Sequence, residues 1–517
     1  MTGRYHSLFF AAFLVAIWPL FSSGELPPVP IPEENPNTEP KRLLGKILFW
    51  DEQLSSDNTV ACGTCHRPAF GGADPRQGRH PGSDPGSIDD VMGSPGIARM
   101  RADGSRVEDP LFGFDPQVTN RLAPSNFGAL WAGEVFWDGR AGSQFIDPLS
   151  GEIIIREGGA LENQVLETLA SSSEMAKMGR TWSDLTGKLE RERPLALARD
   201  LPADIAKAIE SNPSYPKLFT LAFGDAEITP ARIAFAVASY QRTLVADQAP
   251  WDRYQAGELN ALSQDAVYGW NSFQSLRCVN CHEPPTFSNN DFLNIGLRRT
   301  EYDLGRQAVT GEPEDAGEMK VPTLRNVALR KRFMHTGEFS RLGAAIGFYV
   351  SPTALEGRDE IPGAGAYTFS LGEIVQYDLL NFLETALTDP RVENEAFPFD
   401  RPVLRTERTN DGSKAPSAPL RFRATYDEGV LQLNWDPPRD ERDLVDYVLK
   451  RDGVVIAFLT DSALTGFSSR EFGGLLILGI IPTLLGHGSM YYAIRYVSST
   501  IVAATPMGEP IIASIMA

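Results

Sequence analysis

Apolar side chains recur at the spacing of an α-helix through most of the chain between residues 40 and 400. The clearest stretch begins at Thr229-Pro230, an N-cap followed by a proline at the first helical position. Ile233, Val237, Tyr240 and Leu244 then follow at helical intervals, which predicts one buried face. Further helices are predicted over residues 41–50 and 266–276, and a capping box at 370–373 opens another that stops at residues 389–390.

Beyond about residue 400 the pattern changes from helical to alternating. Leu431, Leu433 and Trp435 alternate with polar residues, as in a half-buried strand, and the same alternation returns at residues 492–496. Asp452-Gly453 stands between two apolar runs and predicts a hairpin turn. The fold class expected is therefore mainly α, followed by a small all-β sandwich at residues 416–517 after a linker at 401–415.

Three other stretches show neither the helical spacing nor the strand-like alternation of apolar residues. Residues 25–40 are rich in proline and glutamate and are predicted to be a disordered spacer. Residues 71–126 are rich in glycine, proline and aspartate, and so long an irregular stretch is usually functional or disordered. Residues 1–24 have the basic, apolar and small-residue regions of an export signal; a retained membrane anchor is the alternative.

The 517 residues carry a formal net charge of −19, which argues against binding to nucleic acid or to an anionic membrane. The same charge would suit a basic protein partner. The chain has 4 cysteines, all in two copies of one pentapeptide, C-x-x-C-H. The copies are Cys62-Gly63-Thr64-Cys65-His66 and Cys278-Val279-Asn280-Cys281-His282.

C-x-x-C-H is the attachment signature of c-type haem, in which two thiols bind the porphyrin and the histidine binds iron. A thioredoxin-like redox motif would not need the histidine, and no βαβ pattern surrounds either copy. A four-cysteine zinc site would require two pairs far apart in sequence to meet, and disulfides within C-x-x-C would add little stability. Two covalent haems agree with export, so the expected compartment is a bacterial periplasm.

Two haems in one chain can conduct electrons or catalyse a reaction, and the sixth iron ligands decide between these roles. His80 follows His66 by fourteen residues, within a loop that we expect to fold over the first haem. Met334, His335 and Tyr349 follow the second motif. An open or displaceable face would allow peroxide or oxygen to bind.

Several short segments occur in order around the two motifs. They lie at residues 44–49, 54–56, 71–74, 136–141, 322–329 and 334–337. In these segments the chain from about residue 41 to 390 resembles the bacterial dihaem cytochrome c peroxidases and their MauG-type relatives. The resemblance implies an N-terminal cytochrome domain at 41–250 and a second at 251–400. Residues 416–419, 435–438, 447–453 and 492–495 resemble a fibronectin type III module.

The resemblance also assigns roles to single residues. His80 matches the displaceable ligand of the peroxide-binding haem, a ligand that MauG-type members lack. Trp137 matches the tryptophan that carries electrons between the haems. Counting without gaps from Trp137 places the catalytic carboxylate at Glu157 and the neighbouring distal glutamine at Asp147, where this chain departs from the family.

At the second haem the peroxidases have a methionine ligand where this chain has Tyr349, the residue type used by MauG-type enzymes. A phenolate favours ferric over ferrous iron and lowers the reduction potential. Met334 is the alternative ligand, and the neighbouring His335 matches a residue that supports a haem propionate. The family also implies a calcium ion between the haems, an expectation weakened by Leu122 in place of an asparagine.

These features predict a periplasmic dihaem peroxidase that reduces hydrogen peroxide with electrons from a small cytochrome or cupredoxin. The enzyme alternative is a MauG-like oxidase acting on Trp or Tyr side chains of a protein substrate. The other alternative is a non-catalytic electron-transfer cytochrome. His80 favours the peroxidase, Tyr349 favours the oxidase, and the family resemblance also implies a homodimer.

Overall fold

The structure is a computed structural model that describes residues 24–82, 86, 89–350 and 373–408, together with strands at 420–427, 430–436, 446–451 and 454–460. The chain divides into two compact units, Met1–Arg405 and Thr406–Ala517. The division falls within the linker predicted at 401–415. The export signal, at residues 1–24, lies almost entirely outside the described residues.

Helices dominate the first unit. In chain order the α-helices α1 to α14 are Glu39–Phe49, Cys62–Cys65, Ala160–Ala170, Trp182–Arg191, Ala203–Ser211, Tyr215–Phe223, Pro230–Gln241, Pro250–Gln255, Gln264–Ser275, Gln307–Thr310, Leu342–Val350, Glu373–Thr385, Pro390–Glu393 and Arg405–Arg408. Short 3₁₀ helices lie at Glu52–Leu54, Pro68–Phe70, Asn126–Trp131, Leu259–Ala261, Cys278–Asn280, Pro313–Asp315 and Val327–Leu329. The predicted mainly helical class is therefore correct for this unit.

Local signals set the ends of these helices. The side chain of Thr229 accepts a hydrogen bond from the backbone N–H of Arg232 and caps α7, as the sequence predicts. Ile233, Val237 and Tyr240 on this helix are fully buried, so the apolar stripe is a core face.

The helix that leads into each C-x-x-C-H motif packs against a partner through a glycine. A Cβ atom at Gly45 of α1 would lie 1.9 Å from the carbonyl oxygen of Ala236 in α7. A Cβ atom at Gly269 of α9 would lie 2.0 Å from the carbonyl oxygen of Asp378 in α12. Only glycine allows such close approach, so the two motifs are carried by similar tight helix pairs.

The apolar core of the first unit has two main clusters. One extends from Leu44 to Ala246, and the other from Trp251 to Leu387. The domain boundary predicted at 250/251 lies between these two clusters and stays a prediction. The chain then returns, because Val392, Phe399 and Leu404 pack into the first cluster.

Residues 25–40 are not the disordered spacer that their composition predicts. Asn35 is fully buried, and its amide group donates to a carboxylate oxygen of Glu162 at 2.8 Å. Glu162 is also paired with Arg242 at 2.6 Å, and both side chains are buried. Trp131 donates its indole N–H to the carbonyl oxygen of Pro27. The segment therefore packs on the helices because it satisfies a buried ion pair that sequence composition does not reveal.

Short antiparallel pairs of strands form the sheets of the first unit. The strands β1 to β8 are Gly78–His80, Val91–Gly93, Pro95–Ala98, Pro116–Val118, Phe145–Ile146, Ile153–Ile155, Phe292–Leu293 and Met319–Lys320. They pair as β1–β2, β3–β4, β5–β6 and β7–β8.

Beyond residues 406–408 at the end of α14, the second unit is described only through four strands, β9 to β12, at Leu420–Asp427, Val430–Asp436, Asp446–Arg451 and Val454–Thr460. β9 pairs with β10 and β11 with β12, both antiparallel. The strand predicted around Leu433 and the hairpin predicted around residues 452–453 agree with these pairs. The predicted strand at 492–496 lies outside the described residues, so the sandwich remains a prediction. Within the described part of the chain, no helix is both long and apolar enough to cross a membrane.

Candidate active site

The first C-x-x-C-H motif forms the one-turn helix α2, directly followed by His66. Nδ1 of His66 lies 3.0 Å from the carbonyl oxygen of Gly72. Gly71 and Gly72 both have positive φ values, 66° and 71°, which allows the tight turn that returns this carbonyl to the ring. Burial lowers the pKa of His66. A neutral ring that donates from Nδ1 keeps the Nε2 lone pair free for a metal.

The second motif repeats this arrangement with different partners. Cys278–Asn280 form a 3₁₀ turn, and Nδ1 of His282 lies 3.0 Å from the carbonyl oxygen of Pro322. Burial lowers the pKa of His282 to about 4, so the ring is neutral at physiological pH. In both histidines Nδ1 faces a backbone carbonyl and the ring is neutral, so Nε2 is available to bind iron.

Each motif opens onto a large cavity. The first, of about 610 Å³, is lined by Cys62, Cys65 and His66. The second, of about 600 Å³, is lined by Cys278, Cys281 and His282. These volumes are typical of cofactor sites.

Unpartnered polar atoms in the second cavity also fit a haem. Nε2 of His335 and both Nε and Nη1 of Arg298 are buried without a hydrogen-bond partner among the described residues. His335 and Arg298 both line the second cavity. Donors in these positions match a carboxylate such as a haem propionate, the role that the family resemblance implies for His335.

A thin wall separates the two cavities, and Trp137 is part of it. Trp137 lines both cavities and is only 6 % exposed. Its indole N–H donates to the carbonyl oxygen of Leu122 at 2.7 Å, and its own carbonyl accepts from the backbone N–H of Lys320. The residues that line both cavities are Trp137, Asp303, Lys320, Val321, Pro322 and Thr323. The structure therefore places Trp137 in the wall between the two cavities, and its role as the electron carrier between the haems stays a prediction.

Glu157 does not reach the first cavity. Its side chain is exposed, in the turn between β6 and α3, and neither Glu157 nor Asp147 lines the cavity. The reason is the β5–β6 hairpin, which lies between Trp137 and α3 and displaces the positions counted without gaps. The sequence-based assignment of Glu157 as catalytic carboxylate has no geometric support.

Two residues that sequence reasoning missed occupy the cavity instead. Gln164 and Glu174 both line the first cavity, and they are ten residues apart, the same separation as Asp147 and Glu157. A comparison with the family that kept this separation and allowed a gap for the hairpin would have identified both residues. Gln164 is anchored by donating to the hydroxyl of Thr168, one turn further along α3.

Glu174 is a half-buried carboxylate that lines this cavity. Burial raises its pKa above the ordinary value of 4.5, although hydrogen bonds from Thr168 and Ser171 act in the opposite direction. Its charge also acts on Cys62 and Cys65, so it lies close to the first motif. A carboxyl group with a raised pKa can accept and return a proton near neutral pH.

His80 lies outside both cavities. It is half-buried in the β1–β2 hairpin, where its Nδ1 accepts from the backbone N–H of Gly82 and its ring contacts Phe112. Burial and the positive charge of Arg298 lower its pKa. The hairpin is hydrogen-bonded to the second half of the unit, from Met92 N–H to the Thr336 carbonyl at 2.8 Å.

The predicted loop over the first motif is thus correct only in part. Residues 94–96 and 119–126 line the first cavity, but the β1–β2 hairpin that carries His80 does not. In this conformation His80 is not in a position to bind the first iron.

At the second cavity the structure brings both candidate ligands together. Tyr349, near the end of α11, lines the cavity with Met334 and His282. The choice between Tyr349 and Met334 therefore stays a prediction based on the family resemblance.

The predicted calcium site has no carboxylate cluster to support it. Among the described residues, no group of three or more His, Cys, Asp or Glu side chains is arranged to hold a metal ion. The guanidinium of Arg121 bridges Asp138 and Asp303, at 2.5 and 2.6 Å, beside the wall between the cavities. This buried cation neutralises the two carboxylates there.

Comparison with known proteins places this geometry in context. Residues 39–260 match the family model described as di-haem cytochrome c peroxidase. The methylamine utilization protein MauG of Methylorubrum extorquens is 29 % identical over 368 residues, covering 70 % of this chain and 82 % of that protein. The cytochrome-c peroxidase IdrP1 of Denitromonas iodatirespirans is 28 % identical over 421 residues, covering 74 % and 92 %.

The fold is also found among solved structures. A MauG-like protein associated with microbial copper homeostasis superposes with a TM-score of 0.51 at 24 % identity, covering 74 % of this chain and 97 % of that one. The chain therefore shares its fold with that MauG-like protein over the region covered.

Proposed function

We propose that the chain reduces hydrogen peroxide to water, because residues 39–260 match the model of the di-haem cytochrome c peroxidase family, a family of haem-dependent oxidoreductases. Two electrons and two protons convert one peroxide into two water molecules. The electrons come from a small cytochrome or cupredoxin, and the expected location is the periplasm.

The observation that supports this proposal best is the pairing of Glu174 and Gln164 with His66 in one cavity. When bound, haem c supplies the iron that holds peroxide and stores the oxidising equivalents. The chain would hold it through Cys62, Cys65 and His66. The Glu174 carboxyl takes the proton of one peroxide oxygen and delivers it to the other, which leaves as water. Gln164, held by Thr168, orients the substrate by hydrogen bonding.

Trp137 is proposed to pass electrons between the cavities. Its ring lies in the wall that both cavities share, and its N–H is fixed by the Leu122 carbonyl. A buried, fixed aromatic ring changes its surroundings little when it gains or loses an electron, which suits a relay. Cys278, Cys281 and His282 would hold the second haem, with Tyr349 or Met334 on the opposite face.

The MauG-like oxidase is the second candidate, and two observations favour it. Tyr349 lines the second cavity, and His80 is away from the first, so no histidine other than His66 lines the first cavity among the described residues. In this reaction the two electrons are withdrawn from Trp or Tyr side chains of a protein substrate in place of a redox protein.

Steady-state turnover separates these functions. Full-length protein carrying both haems is mixed with hydrogen peroxide and a reduced small cytochrome c, and cytochrome oxidation is followed by absorbance. Rapid, saturable oxidation supports the peroxidase. Peroxide binding without cytochrome oxidation favours the oxidase, and failure of every redox state to bind peroxide or cyanide would contradict both enzymes.

A further inference from the structure

A cation without a carboxylate partner lies between the two motifs. Arg330 is half-buried and lines the second cavity. Its guanidinium makes two long hydrogen bonds, and both go to neutral backbone carbonyls. Nε donates to the Arg332 carbonyl at 3.3 Å, and Nη2 donates to the Ala123 carbonyl at 3.4 Å. Burial lowers the pKa of Arg330 to about 10, and the side chain therefore still carries its charge at neutral pH.

Arg330 also lies close to the first motif. A Cβ atom at Gly71 would be 3.2 Å from Cγ of Arg330, and the carbonyl of the next residue, Gly72, is the partner of His66 Nδ1. Ala123, the partner of Nη2, lines the first cavity. Burial and, to a smaller extent, the charge of Arg330 lower the pKa of His66. One guanidinium therefore acts on the histidine of the first motif and lines the cavity of the second.

Two other arginines near the cavities are neutralised by ion pairs. Arg121 bridges Asp138 and Asp303, as described above. Arg325 pairs with Asp252 at 2.6 Å. Each of these cations is held beside a carboxylate, so its charge has little effect at a distance.

The remaining cations of the second cavity also have acidic neighbours. Burial lowers the pKa of Arg298, and the charges of Asp303 and Asp89 oppose that shift. Burial lowers the pKa of Lys320 to about 8, and the charge of Glu134 opposes it. No carboxylate among the described residues acts on Arg330 in this way. Its charge is therefore the one in this cavity that the described carboxylates leave uncompensated.

We propose that Arg330 is a cation shared by the two haem sites and that it raises the reduction potential of both. Oxidation of ferrous to ferric iron adds one positive charge, and a nearby cation opposes this change most strongly where little water screens it. At the second site this effect would oppose the lower potential that a Tyr349 phenolate gives. The inference rests on the two haems of the proposed function, whichever of the two candidate reactions they carry out.

The test measures reduction potentials and not turnover. Full-length protein with both haems is titrated without oxygen; absorbance gives the reduced fraction, and low-temperature EPR assigns each haem. In Arg330→Gln we expect the ferrous-to-ferric ratio of each haem at a fixed applied potential to fall about tenfold. For a one-electron couple this equals a decrease of about 59 mV. Arg330→Lys keeps the charge and should restore most of the shift.

The matched control is Lys331→Gln. It removes the same charge from the next residue, which is exposed and lines neither cavity. Water and salt screen an exposed charge, so both potentials should stay unchanged. Arg330→Met is a second neutral variant and should show the same decrease as Arg330→Gln. Removing a cation that has no carboxylate partner leaves no unpaired anion, so folding and haem content should be retained in both.

A decrease at both haems in the neutral variants, reversed by Arg330→Lys, would support the shared cation. A shift at one haem alone, no shift at either, or an equal shift in Arg330→Lys or Lys331→Gln would overturn it. These potentials can be measured whether or not the protein turns over peroxide. Failure of every redox state to bind peroxide or cyanide would instead contradict the proposed function, and it would leave the result for Arg330 standing.

Discussion

The indole ring of Trp137 lies 6.0 Å from the imidazole ring of His335, measured between centroids, with the planes inclined at 60°. Trp137 lines both cavities, whereas His335 lines only the second. His335 lines the second cavity together with His282, so these two buried rings connect the wall to the cavity of the second motif.

Replacing Trp137 with phenylalanine should slow electron transfer between the cavities. Phenylalanine cannot donate a hydrogen bond to the Leu122 carbonyl, and its ring is harder to oxidise than indole. We expect kcat for cytochrome oxidation to fall by about an order of magnitude or more. Cyanide affinity at the first site should be unchanged. Trp131→Phe is the control, since Trp131 lines neither cavity, and an equal loss there would contradict the relay role.

Glu174→Gln should remove proton transfer at the first cavity. The amide keeps the size of the side chain and loses its basic oxygen, so kcat/KM for peroxide should fall roughly 10²–10⁴-fold. Glu157→Gln, at the exposed position in the turn before α3, should leave it unchanged. Stopped-flow mixing with peroxide measures both. The reverse result would restore Glu157 as the catalytic carboxylate.

The pH dependence of peroxide reduction should follow Glu174. Burial raises the pKa of this carboxyl above 4.5, so the basic form is lost at a higher pH than for an exposed glutamate. As pH falls from neutrality, kcat/KM should therefore decline through an acid limb that lies above pH 4.5. In Glu174→Gln this limb should disappear, and its persistence there would assign it to another group.

Tyr349→Phe should change the second haem only. If the phenolate binds iron, its loss favours ferrous iron and raises the reduction potential, by about 0.1 V or more within the ~0.8 V range that axial ligands control. Redox titration and low-temperature EPR measure the change. Met334→Leu is the matched test of the rival ligand. A shift in that variant, with none in Tyr349→Phe, would identify the methionine as the ligand.

Glu162→Gln should destabilise the fold, although Glu162 lines neither cavity. Its carboxylate is fully buried between Arg242 and Asn35, and removing its charge leaves the Arg242 cation unpaired. A loss of about 3–5 kcal/mol in the free energy of unfolding is expected. Glu167→Gln, on an exposed part of the same helix, should change it by less than about 0.5 kcal/mol. Urea unfolding followed by circular dichroism gives both values.

Local sequence signals were sufficient for the motifs and the helices. Thr229 caps α7 as its pattern indicates, and the position of Trp137 followed from a short segment with few insertions. Local chemistry predicts such features because their partners lie within a few residues.

Features that depend on distant partners were not predictable in this way. Glu174 was missed because the β5–β6 hairpin lies between Trp137 and α3, so that counting without gaps from Trp137 ended at Glu157. A hairpin this short produces no clear periodic pattern of apolar residues. Asn35 appeared to belong to a disordered spacer because its partner Glu162 is 127 residues away. The direction of His80 depends on contacts of its hairpin with the Thr336 segment, again far along the chain.

The return of the chain to the first apolar cluster has a consequence for biosynthesis. Val392, Phe399 and Leu404 complete a cluster whose other members end at Ala246. During synthesis from the N-terminus, the region around Cys62 and Cys65 emerges long before those last side chains exist. The core around the first motif can therefore be completed only after the second motif has also been made. A shortened chain ending near residue 250 should therefore yield an incompletely packed first half.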